Sequence, residues 1–283
     1  MFVNLMKIDM MKAKSKSYHK TSPWAFDSFM KIRRISLTKE ALLKMAPPDR
    51  DFLLLAGHIQ NELNSLHKVF TWCLQNRSLE DSATIENIAS RAQAMIYARL
   101  LAGKLCEARQ VLDISFFGTK LSHRIEPRLH PNAQAALSRI KRYFGRANTI
   151  YKVRNSFAFH YSADEFSLHW EAAINESSFE VIAGGTVGNN LYLASELVAN
   201  TAMLSNINPI NLEDALGSLF NDTQSMASQF ADFLEGAIVA ILEEQFGSGL
   251  SGIGQEEVIL PTHKFSEVSI PYFCVPDDRA KNA

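Results

Sequence analysis

Leu212, Leu216, Leu219, Thr223, Met226, Phe230, Phe233, Ala237 and Ile241 recur at intervals of three and four, and nothing between Asn211 and Ile241 breaks the pattern. That spacing is one face of a long helix, and so wide an apolar stripe must be covered by something. Core packing is the commoner solution, with a dimer seam as the alternative, and Asn211 stands where a cap belongs. Three more segments read the same way. Phe52, Leu55, Ile59, Leu63, Leu66, Phe70 and Cys73 mark a helix from about Asp49 or Asp51 to Gln75. Ile85, Ile88, Ala92, Met95, Leu101, Leu105, Ala108 and Leu112 mark a second from Thr84, with Arg91, Arg99, Lys104 and Arg109 expected to face solvent. Ala136, Leu137, Ile140, Tyr143, Phe144, Ala147, Ile150, Tyr151 and Phe157 mark a third from Asn132 to Tyr161. Stripes of this kind predict a mainly α chain in which helices bury their faces against one another.

The remaining stretches are less regular. Ser36-Leu37-Thr38-Lys39-Glu40 before Ala41, Leu42, Leu43 and Met45 is a cap-like start and predicts a short helix, stopped at Pro47-Pro48. Phe116 through Pro131, with His123 and His130, reads as an irregular loop. Phe166 to Trp170 and Phe179 to Ile182 alternate in polarity about a polar Asn175-Glu176-Ser177-Ser178, which predicts a β-hairpin near 165–183 inserted between helices. Ala183-Gly184-Gly185-Thr186-Val187-Gly188 stands where a phosphate cradle would stand but lacks the P-loop Lys-Ser/Thr and the dinucleotide spacing, so a turn is the stronger reading. Asn190 to about Ser205 is again helical. The chain divides into a basic extension with a short helix (1–48), a helical domain (49–246), and a Gly-rich linker leading to an extended arm (247–283).

With 47% hydrophobic and 21% charged residues, the composition is that of a soluble globular protein. No uninterrupted apolar run approaches the ~18 residues that span a bilayer, and Met1 to Lys20 lacks the core of a signal peptide. Neither a membrane nor export is expected. Cys73, Cys106 and Cys274 are odd in number and far apart, which points to a reducing cytoplasm rather than a disulfide framework. The net charge of −1 hides a division: residues 1–154 hold 26 Lys/Arg and 12 Asp/Glu, residues 155–283 hold 3 and 18. Either the halves neutralise each other on folding, or the basic half meets a polyanion such as RNA. No Cys-x-x-Cys, His-x-x-x-His or Gly-x-Ser-x-Gly pattern supports a zinc site or a hydrolase triad. His58 and Glu62 are four apart with no third ligand at a supporting spacing, so no metal and no cofactor are expected. Glu62 is instead a candidate to hold an arginine from another helix.

The segment Asn132–Tyr161 contains six basic residues and no acidic ones, and it closes on Tyr151-Lys152-Val153-Arg154-Asn155-Ser156-Phe157-Ala158-Phe159-His160-Tyr161. Arg139, Lys141, Arg142, Arg146 and Lys152 lie mostly off the apolar stripe. On a straight helix Arg154 and His160 would be about 120° apart around the axis and about 9 Å apart along it. They could share a site if the helix bends near Phe159, or if two copies bring their motifs together.

An Arg followed by Asn, with a His after five intervening residues at the end of a basic helix, resembles the HEPN superfamily, whose mark is an Arg and a His separated by four to six residues. The layout from the long helix near Phe52 to Gly188-Asn189-Asn190-Leu191-Tyr192 before a later helix looks like the AbiU2-like branch, over residues 50 to 246. The resemblance implies an HEPN-like antiparallel helical bundle, here with the inserted β-hairpin, of toxin–antitoxin or phage-defence type. It also implies a homodimer that cleaves RNA without metal, and an antitoxin protein as partner. Arg154 and His160 would be catalytic and Asn155 would orient substrate or its neighbours. Arg139, Arg142, Arg146 and Lys152 would bind RNA, with Glu62 and Tyr161 in support. In HEPN toxins paired with nucleotidyltransferase antitoxins a tyrosine stands two positions beyond the histidine. Here Tyr161 is adjacent and Ser162 takes that place, so the pattern for adenylylation is not met. The alternative is a non-catalytic helical module that binds nucleotide or protein.

Overall fold

The computed structural model describes residues 30–75, 84–158, 163–174, 180–250, 253–268 and 270–275. Three long helices set the frame: α2 (Pro47–Gln75), α3 (Ile85–Ser115) and α9 (Leu212–Phe246). Short α1 (Lys39–Leu43) precedes them, capped by the Thr38 hydroxyl, which accepts from Ala41 N. Pro47 and Pro48 do not merely stop that helix. They open α2, because the first turn has no use for their missing N–H groups.

Helices α2 and α3 run antiparallel. Phe52 stacks on Phe116 at one end (5.0 Å), Glu62 meets Lys104 midway, and Leu66 and Leu100 line one groove further along. Helix α9 crosses both, setting Phe220 against Phe70 and Phe233 against Phe116. Its stripe from Leu216 to Ile241 is buried as core and is not a free seam. Among the described residues α9 is the one helix long and apolar enough to span a membrane, and 61% of that window is buried inside the bundle. The helix α5 (Pro131–Phe144) lies along the outer side of α9, where Ala133 packs so closely that a Cβ on Gly236 would come within 2.4 Å of the Ala133 Cβ.

Several expectations are corrected here. Residues 132–161 are not one helix: α5 ends at Phe144, and Asn148 then caps α6 (Thr149–Val153) by accepting from Tyr151 N at 2.9 Å and donating to Arg146 O. Gly145 and Asn148 thus interrupt a continuous apolar period, since a satisfied cap competes locally with one more helical turn. The stretch after Phe116 is not irregular either. It contains α4 (Lys120–Ile125), capped by Thr119, and His130 caps α5 through its ring.

The first strand of the proposed hairpin is helical, α7 (Ala163–Ala173). Asp164 and Glu165 in its first turn complement the helix dipole, and Glu165 pairs with His169 at 3.5 Å one turn on. Of the second strand, Ile182 makes an isolated bridge to Leu191; residues 175–179 lie outside the described residues. Helix α8 (Leu193–Ile207) follows. The sheet that does form pairs β1 (Met30–Ser36) with β2 (Gly254–Leu260), antiparallel, with Arg33 opposite Glu257 and Arg34 opposite Glu256. A basic strand from one end of the chain thus meets an acidic strand from the other.

Candidate functional site

Helix α6 ends at Val153 and passes directly into a π-helical turn, Arg154–Ala158. Such wide turns shift every following side chain around the axis and are frequent at functional sites. The turn is anchored at the side by Asn206 Nδ2, which donates to Ser156 Oγ on it at 3.2 Å. It carries Arg154 toward α3. Arg154 Nε and Nη2 both donate to Glu107 Oε1, at 3.2 and 3.0 Å, and Nη1 reaches Asn155 Oδ1 at 3.4 Å. The Arg154 side chain keeps 29% of its surface exposed, enough for its free edge to meet a ligand. His160 and Tyr161, the other halves of the motif, lie outside the described residues.

Glu107 belongs to a line of charges between α2 and α3. One turn earlier on α3, Lys104 Nζ donates to both oxygens of Glu62 at 2.8 and 3.0 Å, and His58 Nε2 stands 3.9 Å from the same carboxylate. Glu62 therefore holds a lysine, where an arginine was expected; the arginine is held by Glu107. These groups border a groove of about 520 Å³ lined by His58, Asn61, Glu62, Ser65, Leu66, Leu100 and Lys104. A smaller pocket of about 130 Å³ beside it reaches Glu107. Burial pushes the neighbouring Cys106 thiol up to about 12, so it stays protonated and is not a nucleophile.

The basic residues assigned to RNA take separate paths. Arg139 Nη1 donates to Gln229 on α9 at 3.1 Å, and Lys152 Nζ donates to Ile207 O at the end of α8 at 3.1 Å. Arg142, in the last turn of α5, and Arg146, in the connection to α6, are exposed and, among the described residues, make no hydrogen bond or ion pair. Arg139 is thus directed to α9 and Arg154 to α3, so the two are not gathered into one cluster. The four basic residues of α3 do not face solvent as expected. Arg99 is fastened to Glu196 (2.8 Å) and Asn200 on α8, Lys104 to Glu62, and Arg109 to Asp113 with its guanidinium 4.7 Å from the Phe117 ring centre. Burial lowers the pKa of Arg91, the fourth.

Glu107 is the neighbour of Arg154 that sequence reasoning missed. Its signal was compositional: between Arg91 and Arg154 there are 13 basic residues and three acidic ones, Glu107, Asp113 and Glu126. An acid retained in so basic a stretch is a natural partner for one of those cations. Chemically the arrangement supplies a planar cationic fork, fixed in direction by a carboxylate and flanked by a side-chain amide. Comparison of the chain with protein-family models, with curated proteins and with solved structures finds no match.

Proposed function

We propose that this chain is a metal-independent, HEPN-type endoribonuclease of a toxin–antitoxin or phage-defence system, acting in the cytoplasm as a homodimer. The observation that carries the reading is the partly exposed Arg154 on a π-turn, aimed by Glu107 and adjacent to Asn155. A 2′-hydroxyl gives up its proton and attacks the adjacent phosphorus. The bond to the 5′-oxygen breaks, a 2′,3′-cyclic phosphate forms, and the leaving oxygen takes a proton. Arg154 would offset the charge on the phosphoryl oxygens, and His160, from a residue type that titrates near neutrality, would carry the proton. Asn155 would orient the substrate. Arg142 and Arg146, and through their exposed edges Arg139 and Lys152, would attract the RNA backbone. An antitoxin protein is the expected regulatory partner.

The test is RNA cleavage by the purified protein in the presence of a chelator. Cleavage yielding cyclic-phosphate ends, abolished by Arg154→Ala and by His160→Ala with the helical circular-dichroism signal unchanged, is the expected result. Cleavage that survives in both variants, or that needs magnesium, removes this mechanism. A second reading, a non-catalytic helical module that binds nucleotide or protein, is favoured by one observation: Glu107 already takes two of the Arg154 N–H groups and offsets its charge. Under it the parent protein forms no products from RNA, and the Arg154 variant loses affinity for its nucleotide or protein ligand.

A further inference from the structure

Away from Arg154, a second apolar cluster forms where the first half of α3 meets the segment leading into α8. Ala89, Ala92 and Leu191 are buried there, with Ile182 and Leu193 at the margin. Ala89 and Ala92 sit one turn apart, and their small side chains leave a depression on the helix surface. The C-terminal arm fills it with Tyr272 and Phe273, whose rings lie edge to face with centres 5.0 Å apart.

Beside the rings the arm's main chain is held by one side chain. Asn189 Oδ1 accepts from Cys274 N at 2.9 Å, and Asn189 Nδ2 donates to Cys274 O at 2.7 Å. A primary amide that meets the N–H and C=O of one residue reproduces the two-bond exchange of an antiparallel strand pair and reads backbone only. The Tyr272 hydroxyl adds a bond to Asn190 O at 2.9 Å. Burial and the nearby Glu196 carboxylate raise the Tyr272 pKa, which keeps that hydroxyl a donor.

The receiving loop is built independently of the arm. Asn189 Nδ2 also donates to Thr186 Oγ1 (3.0 Å), and Asn190 Oδ1 accepts from Gly184 N (3.0 Å). A Cβ on Gly184 would fall 2.4 Å from the Asn189 Cβ, so a side chain there would displace the amide. Pro271, with its fixed φ, delivers the arm extended.

We propose that this cleft is a linear-peptide site for a partner segment with two consecutive aromatic residues followed by one whose main-chain N–H and C=O are both available. Residues Tyr272–Cys274 are its occupant in cis and must be displaced by such a partner. Recognition of a ring pair plus an unpaired backbone is how extended peptides are bound elsewhere by strand-like addition, and a site preorganised by its own loop spends little on ordering.

The test uses the full chain carrying Tyr272→Ala and Phe273→Ala, titrated with a fluorescein-labelled peptide of residues 270–275 and followed by anisotropy. Saturable binding is expected, at least about tenfold weaker to the parent chain, whose own arm competes. It should also weaken by about tenfold when Asn189→Ala is added, the size of two net hydrogen bonds. Absence of saturable binding to the unlatched chain, or binding indifferent to Asn189→Ala, overturns the proposal. Should the unlatched chain fail to fold by circular dichroism, amide hydrogen exchange on Asn189→Ala alone decides. Protection at residues 272–274 should then be lost while α9 stays protected, and protection that persists at 272–274 refutes the site.

Discussion

Glu107 offsets the charge of Arg154, because one of its oxygens receives two of the guanidinium N–H groups. Replacing it by glutamine keeps an acceptor and removes the charge. Under the ribonuclease reading, RNA affinity of Glu107→Gln, measured by filter binding, should rise about two- to fivefold, the size of a partly exposed ion pair worth ~0.5–1 kcal/mol, while the retained oxygen keeps the direction of the fork. A second residue governs the response to acid. Burial lowers the pKa of His67 from 6.5 to about 4, so the folded chain holds it neutral where the unfolded chain would bind a proton. Its contribution is fully present above pH ~6.5 and is lost as pH falls toward about 4, on the order of 3 kcal/mol over that window. Denaturant titrations across this range should show stability falling with acidification in the parent chain and a shallower slope in His67→Gln.

The element that carries the motif is shorter than its apolar period implies. Gly145 closes α5 and the buried Asn148 opens α6, so the Arg154 turn hangs on a helix of five residues rather than on a long rod. That makes the cap important out of proportion to its size. Asn148→Ala removes the acceptor for Tyr151 N and the donor to Arg146 O, and should cost about 1–2 kcal/mol in urea unfolding. Under the ribonuclease reading it should also lower cleavage by more than the lost stability explains, because the Arg154 fork shifts. Helix α3 shows the opposite relation between pattern and placement. Its small buried residues, Ala89, Ala92, Ala94, Ala98, Ala102 and Gly103, let neighbours approach closely. Arg99 and Lys104 consequently end against α8 and α2, and Arg109 lies back along α3 against Asp113 and the Phe117 ring. The alternation in Phe166–Trp170 fits a strand and a helix equally over five residues, and the acidic first turn together with packing on α8 decided for helix.

At the scale of the whole molecule the division of charge becomes a set of contacts. Arg99 meets Glu196, Arg124 and Arg128 meet Glu244, and the basic β1 meets the acidic β2, so part of the asymmetry is neutralised internally. Arg142 and Arg146 remain outside that pairing. If RNA binds along α5, log affinity should fall linearly with log salt, and neutralising both residues to glutamine should reduce the slope by about 1.4, at ~0.7 per phosphate of a single strand. An unchanged slope would move the RNA path elsewhere. The spans of α2, α3, α8 and α9, the short α1 before Pro47, the Asn211 cap and the buried stripe of α9 were readable from the chain, because each depends on residues within a turn or two of one another. The Arg154–Glu107 pair, the Glu62–Lys104 pair, the joining of residues 30–36 to 254–260 and the docking of Tyr272 beside Asn190 were not. Their partners are separated by tens to hundreds of residues, and only the packing of apolar faces, which sets where each helix lies, brings one particular acid, strand or loop to each.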